Sequence, residues 1–141
     1  MCALSLTGTA FAAGIQTNGE AHVYSVLPGS EEWRAMTLEE RLASCEVSAE
    51  EAKKITTSAL VETVLNYPYL INIYAYGSLD EGIERVSSHF PALSEFFSRS
   101  DGVESLQNYC NQQAQAEPDS ESSLDIYNAE ILIGKISNTS L

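Results

Sequence analysis

The chain has 141 residues, 44% of them hydrophobic, and sets 20 Asp plus Glu against seven Lys plus Arg for a formal charge of -13. That length and apolar content furnish one modest core. A surface this acidic repels phosphate backbones and anionic lipid, which disfavours nucleic-acid binding and attachment to a membrane surface.

Residues 1–13 carry no charge, and Ala10-Phe11-Ala12 ahead of Ala13 has the small-x-small pattern of a signal-peptidase site. The positive leader of an export signal is missing, so residues 1–12 read as a partial signal peptide or as an apolar end outside the fold. No run approaches the ~18 apolar residues of a membrane-spanning helix. Residues 13–30 are rich in Gly, Ser, Thr and Asn around one apolar patch, His22 to Leu27. They read as a linker or as a lead-in laid against the domain, with His22 a surface histidine.

From Ser30 the pattern turns helical. Thr37-Leu38-Glu39-Glu40 and Ser48-Ala49-Glu50-Glu51 are capping boxes, and Ser78-Leu79-Asp80-Glu81 is a third. Between the second and third lies the stretch around which the chain is organised. Leu60, Val61, Val64 and Leu65 are two apolar pairs four residues apart, one face of a helix. Thr56, Thr57 and Ser58 can cap its start, and Pro68 ends it. Pro68 to Tyr76 is read as a further helix halted by Gly77, although its aromatic and β-branched content would also suit a strand.

Helices follow from Ser78 to His89, from Pro91 to Arg99, and from Asp101, with polar Gln112 to Gln115 fraying. Residues 116–123 read as a flexible acidic linker. Leu124 to Ile136 is helix or strand, and residues 124–141 either dock on the main domain or open a further unit. The expected fold is an all-α array of about six short helices in residues 31–115, with HEAT-like stacked hairpins as one arrangement.

Few residues point to chemistry. Glu39-Glu40 and Glu50-Glu51 sit in first helical turns, where the macrodipole favours acids without any catalytic role. No phosphate-binding loop, nucleophile elbow or zinc motif occurs, so neither metal, cofactor nor catalytic residue is expected. Cys45 and Cys110 are either a disulfide, stabilising by about 3–4 kcal/mol on the chain-entropy argument, or two buried thiols. Glu62, set among the apolar residues of the central helix, is expected to be partly buried and paired with Arg99 or Arg41. Tyr67, Tyr69, Tyr74 and Tyr76 cluster around Pro68 as core packing or a contact face.

The residues Glu40-Arg41-Leu42 with Cys45, Thr57 with Leu60-Val61-Glu62-Thr63-Val64-Leu65-Asn66-Tyr67-Pro68, and Phe90, Leu93, Glu95, Arg99 and Asp101 carry a resemblance. Over roughly Trp33 to Tyr109 the chain resembles a group of exported bacterial proteins, often from Gram-positive and gut-associated species, with no established activity. It departs from their pattern at Val47-Ser48, where Ile-Pro is usual, and at Pro91-Ala92, where Asn-Gly is usual. Both departures fall at helix starts. The resemblance implies export and a helical module. The expectation is a secreted or surface-exposed interaction module without catalysis of its own, with a protein or cell-surface partner. The alternatives are a fragment of an exported hydrolase and a structural spacer.

Overall fold

The computed structural model describes residues 19–115 and 120–139. The expected signal peptide, Cys2 and residues 116–119 of the acidic linker lie outside them. Regular structure among the described residues is entirely helical. In chain order it comprises α1 (Glu31–Ala35), α2 (Leu38–Ser44), α3 (Ala49–Lys54), α4 (Thr57–Leu65), a 3-10 turn (Leu70–Tyr74), α5 (Leu79–His89), α6 (Pro91–Ser98), α7 (Gly102–Gln115) and α8 (Ser120–Thr139).

Local chemistry starts these helices where side chains can take up orphan N–H groups. Thr37 accepts from the Glu40 N–H while the Glu40 carboxylate accepts from the Thr37 N–H, and Ser48 and Glu51 repeat the exchange. Those bonds, from the Thr37 backbone first, hold the Glu40 carboxyl below its ordinary range. Ser78 accepts from the Glu81 N–H at the start of α5, and Thr56 from the Ala59 N–H at the start of α4. Pro91 opens α6, where its missing N–H costs nothing.

Helix α4 is the centre of the molecule. Seven of its nine residues are buried, and it packs against α6, α7 and α8. Leu60, Val61 and Val64 meet a core that includes Leu93, Phe96, Leu106 and Leu132. So many neighbours leave α4 little solvent face, which is why an apolar stripe alone understates its burial.

Three elements differ from expectation. Residues 70–74 form a 3-10 turn rather than an α-helix or a strand. Its buried residues, Leu70 and Ile73, are three apart, the spacing that a three-residue turn places on one side. Helix α7 continues through Gln115 without fraying, and α8 begins at Ser120, inside the expected linker. Leu132 and Ala129 bury α8 on the core, so residues 124–139 dock on the main body as one helix.

Residues 19–30 form an irregular arm laid on α4 rather than a free linker. Tyr24 and Val26 are buried, the Tyr24 hydroxyl donates to the Thr63 carbonyl at 2.7 Å, and the His22 N–H donates to Thr63 Oγ1 at 2.9 Å. His22 is therefore not a surface histidine. Its side chain is 8% exposed, with Nδ1 4.0 Å from Glu51 Oε1.

The buried Tyr24 and Tyr67 and the half-buried Tyr109 make the fold sensitive to alkali. Burial is the main cause that pushes the Tyr67 hydroxyl up to about 12 and holds Tyr24 and Tyr109 well above their ordinary 10.0. Near-neutral solutions leave all three protonated in both folded and unfolded chains. Above pH 10 the unfolded chain alone loses these protons, so stability falls as pH rises, by up to about 1.4 kcal/mol per unit for each tyrosine. The urea midpoint is expected to drop between about pH 9 and pH 11, and less steeply in Tyr24→Phe. A midpoint that is flat over that interval would contradict this account.

Candidate functional site

A cleft of about 530 Å³ is lined from three parts of the chain. The end of α2 and the turn after it supply Leu42, Ala43, Cys45 and Glu46. The segment after α4 supplies Tyr67, Tyr69, Asn72 and Tyr76. Helix α5 supplies Arg85, Val86, Ser88 and His89, and the first residue of α6 supplies Pro91. The volume lies within the range of about 300–1,000 Å³ usual for ligand sites.

The aromatic groups are held from below. Tyr67 is buried and stacks on Phe90, ring centroids 3.8 Å apart and planes 4° from parallel. Tyr69 packs on Trp33 at 5.7 Å, and Trp33 is itself fixed by the Arg41 guanidinium 5.5 Å over its ring. Arg41 Nε donates to the Trp33 carbonyl at 2.8 Å, tying α2 to α1. Tyr76 is 42% exposed, with the Arg85 guanidinium 5.9 Å from its ring centre. Leu42, 45% exposed, adds an aliphatic edge.

Polar groups face the same space. Arg85 and His89 are exposed and one helical turn apart on α5, while Glu46 is exposed on the turn after α2. Arg85 meets Glu81 only at 3.9 Å, with both side chains largely in water, so this pair leaves the guanidinium available. Net charge speaks against anion binding over the surface at large, but here a cation and a histidine stand at a cleft.

Three of the four clustered tyrosines thus share the cleft, and Tyr74 does not. Its ring stacks on Tyr127 of α8 at 6.1 Å, and its hydroxyl donates to Asn128 Oδ1 at 2.5 Å. That bond serves α8 docking. The alternation that sends Tyr74 to α8 and Tyr76 to the cleft is set by the 3-10 turn, which a helical or strand reading of the segment misplaces.

The expected Glu62 ion pair is not formed. Glu62 is exposed, and its carboxylate lies near enough to Tyr109 of α7 to add to the rise of that hydroxyl. Arg99 pairs instead with Glu95, Nε to Oε1 at 2.8 Å, one turn back on α6. Its other nitrogens donate to the Ala52 and Ile55 carbonyls at the end of α3 and to Thr57 Oγ1, while the Thr57 hydroxyl donates to Asp101 Oδ1 at 2.8 Å. Four residues that carry the sequence resemblance, Thr57, Glu95, Arg99 and Asp101, therefore meet where the α3–α4 and α6–α7 corners touch.

Cys45 and Cys110 are free thiols rather than a disulfide. Cys45 is 1% exposed at the base of the cleft, its sulfur 3.8 Å from Ser44 Oγ, and burial pushes its thiol up. Burial also raises Cys110, on α7, with the Glu130 carboxylate adding to the shift. The fold brings His89 to the cleft that Cys45 lines. Their separation of some forty residues carries no motif that could have announced it. No group of His, Cys, Asp and Glu among the described residues is arranged to hold a metal ion. No described helix is long and apolar enough to cross a membrane. Compared with protein-family models, curated proteins and solved structures, the chain matches none.

Proposed function

We propose that this protein is an exported or surface-exposed helical recognition module, and that the tyrosine-lined cleft is its binding face. The observation that carries the reading is the cleft itself: rings fixed by stacking, an apolar edge, and charged groups at its margin. Such rigid amphipathic side chains suit binding because little conformational freedom is lost when a partner covers them. The uncharged N-terminal segment and the resemblance to exported proteins support placing that partner outside the cell.

A fragment of an exported hydrolase is the second reading, favoured by Cys45 and His89 lining one cleft. Against it stands the buried Cys45 thiol, since a nucleophilic cysteine needs a lowered pKa and access. A spacer would have no use for the cleft.

The test is retention of fluorescently labelled protein on intact cells of the organism that makes it. Tyr69→Ala/Tyr76→Ala is expected to lower the retained fraction about tenfold, as truncating aromatic anchors does. Equal retention of the variant and the wild-type protein would contradict the reading.

A further inference from the structure

We infer that the cleft takes a zwitterionic ligand, a short peptide with both termini free and an aromatic or large aliphatic side chain. This rests on the cleft being the recognition face and gives that face a ligand class. The charge layout carries the inference. Arg85 and His89 offer donors to a carboxylate from α5, and Glu46 offers an acceptor to an ammonium group from the separate turn after α2. The same lining includes ring and aliphatic surface from Tyr67, Tyr69 and Leu42.

A purely anionic ligand would leave Glu46 opposing it, in a chain whose net charge of -13 already repels anions. A purely cationic ligand would meet Arg85. A molecule with both charges offers a partner to both kinds of group and brings no net charge into the acidic field. Arg85 is suited to the task, because a guanidinium binds a carboxylate through paired N–H groups and here already rests on the Tyr76 ring. The volume of about 530 Å³ accommodates a peptide of a few residues rather than a folded segment.

The experiment is an NMR titration of the full chain with the dipeptide Phe-Leu, its N-acetyl form and its C-terminal amide. The free dipeptide is expected to shift signals of cleft residues and to bind about tenfold more tightly than either blocked form. Arg85→Gln should erase the preference for the free carboxylate over the amide and keep the preference for the free amine. Glu46→Gln should do the reverse. Both positions are exposed, so the variants are expected to fold, and their unchanged spectra outside the cleft check this.

Equal affinity for all three probes at the cleft would overturn the zwitterion and leave the recognition face standing. Shifts confined to other surfaces, or none, would also overturn it. Retention on cells that still depends on Tyr69 and Tyr76 would then show that only the ligand class had failed.

Discussion

Gly82→Ala is expected to destabilise the protein by about 3 kcal/mol or more, opposite in sign to the usual effect of that change inside a helix. Alanine ordinarily gains about 1 kcal/mol over glycine at such a position, because glycine loses more backbone freedom on folding. Here a Cβ would lie 1.8 Å from the Ile73 carbonyl oxygen and 2.6 Å from its carbon. Both are backbone atoms of the 3-10 turn, and Ile73 is fully buried, so no flexible side chain can move aside. Helix α5 and the turn must separate, which disturbs the contact of Arg85 with the Tyr76 ring at the cleft. Urea unfolding measures the loss; an unchanged or raised midpoint would refute the close approach.

The second large effect is expected at Arg99. Its side chain is 19% exposed and its partner Glu95 18%, so Arg99→Ala leaves a partly buried carboxylate without its cation. It also removes the donors to the Ala52 and Ile55 carbonyls and to Thr57. Breaking a fully buried pair costs about 3–5 kcal/mol, and the residual exposure places this one at about 2–4 kcal/mol. Arg99→Lys should recover less than half of that, because an ammonium cannot span acceptors on two corners as the planar guanidinium does. Thermal unfolding of the three proteins decides it. A Lys variant as stable as wild type would mean that charge alone matters, and an unaffected Ala variant would remove the network from the stability account.

These two sites show where sequence reading succeeds and fails. Capping boxes at Thr37 and Ser48 are legible because every participant lies within four residues. The α4 stripe is legible because helical burial has a short period, and the all-α class follows. Arg99 is not legible in the same way. A sequence suggests a buried cation wants an acid and offers Glu62 by its apolar surroundings, yet the acceptors that matter are backbone carbonyls, which carry no letter. Nor does any local pattern mark Gly82, whose role depends on the Ile73 carbonyl lying against it. The cleft was half legible. Proximity in sequence gathered the tyrosines, but the 3-10 turn divided them, and Glu46, Arg85 and His89 joined through tertiary packing that no local pattern records.

On the proposed reading of the cleft as a binding face, that packing has a consequence for affinity. The groups that hold the cleft open, Phe90 under Tyr67 and Trp33 beside Tyr69, belong to the same core that fixes α4. A rigid cleft binds without first ordering its own side chains, so affinity depends on complementarity rather than on induced closure.

The most direct test of the central claim compares three labelled proteins on intact host cells: wild type, Tyr69→Ala/Tyr76→Ala, and Ile71→Ala. Ile71 is 61% exposed in the same segment but does not line the cleft, so it controls for general surface stickiness. The account predicts that the double variant washes away while wild type and Ile71→Ala remain bound. Retention of all three alike, or equal loss in both variants, would show that the cleft is not the recognition face.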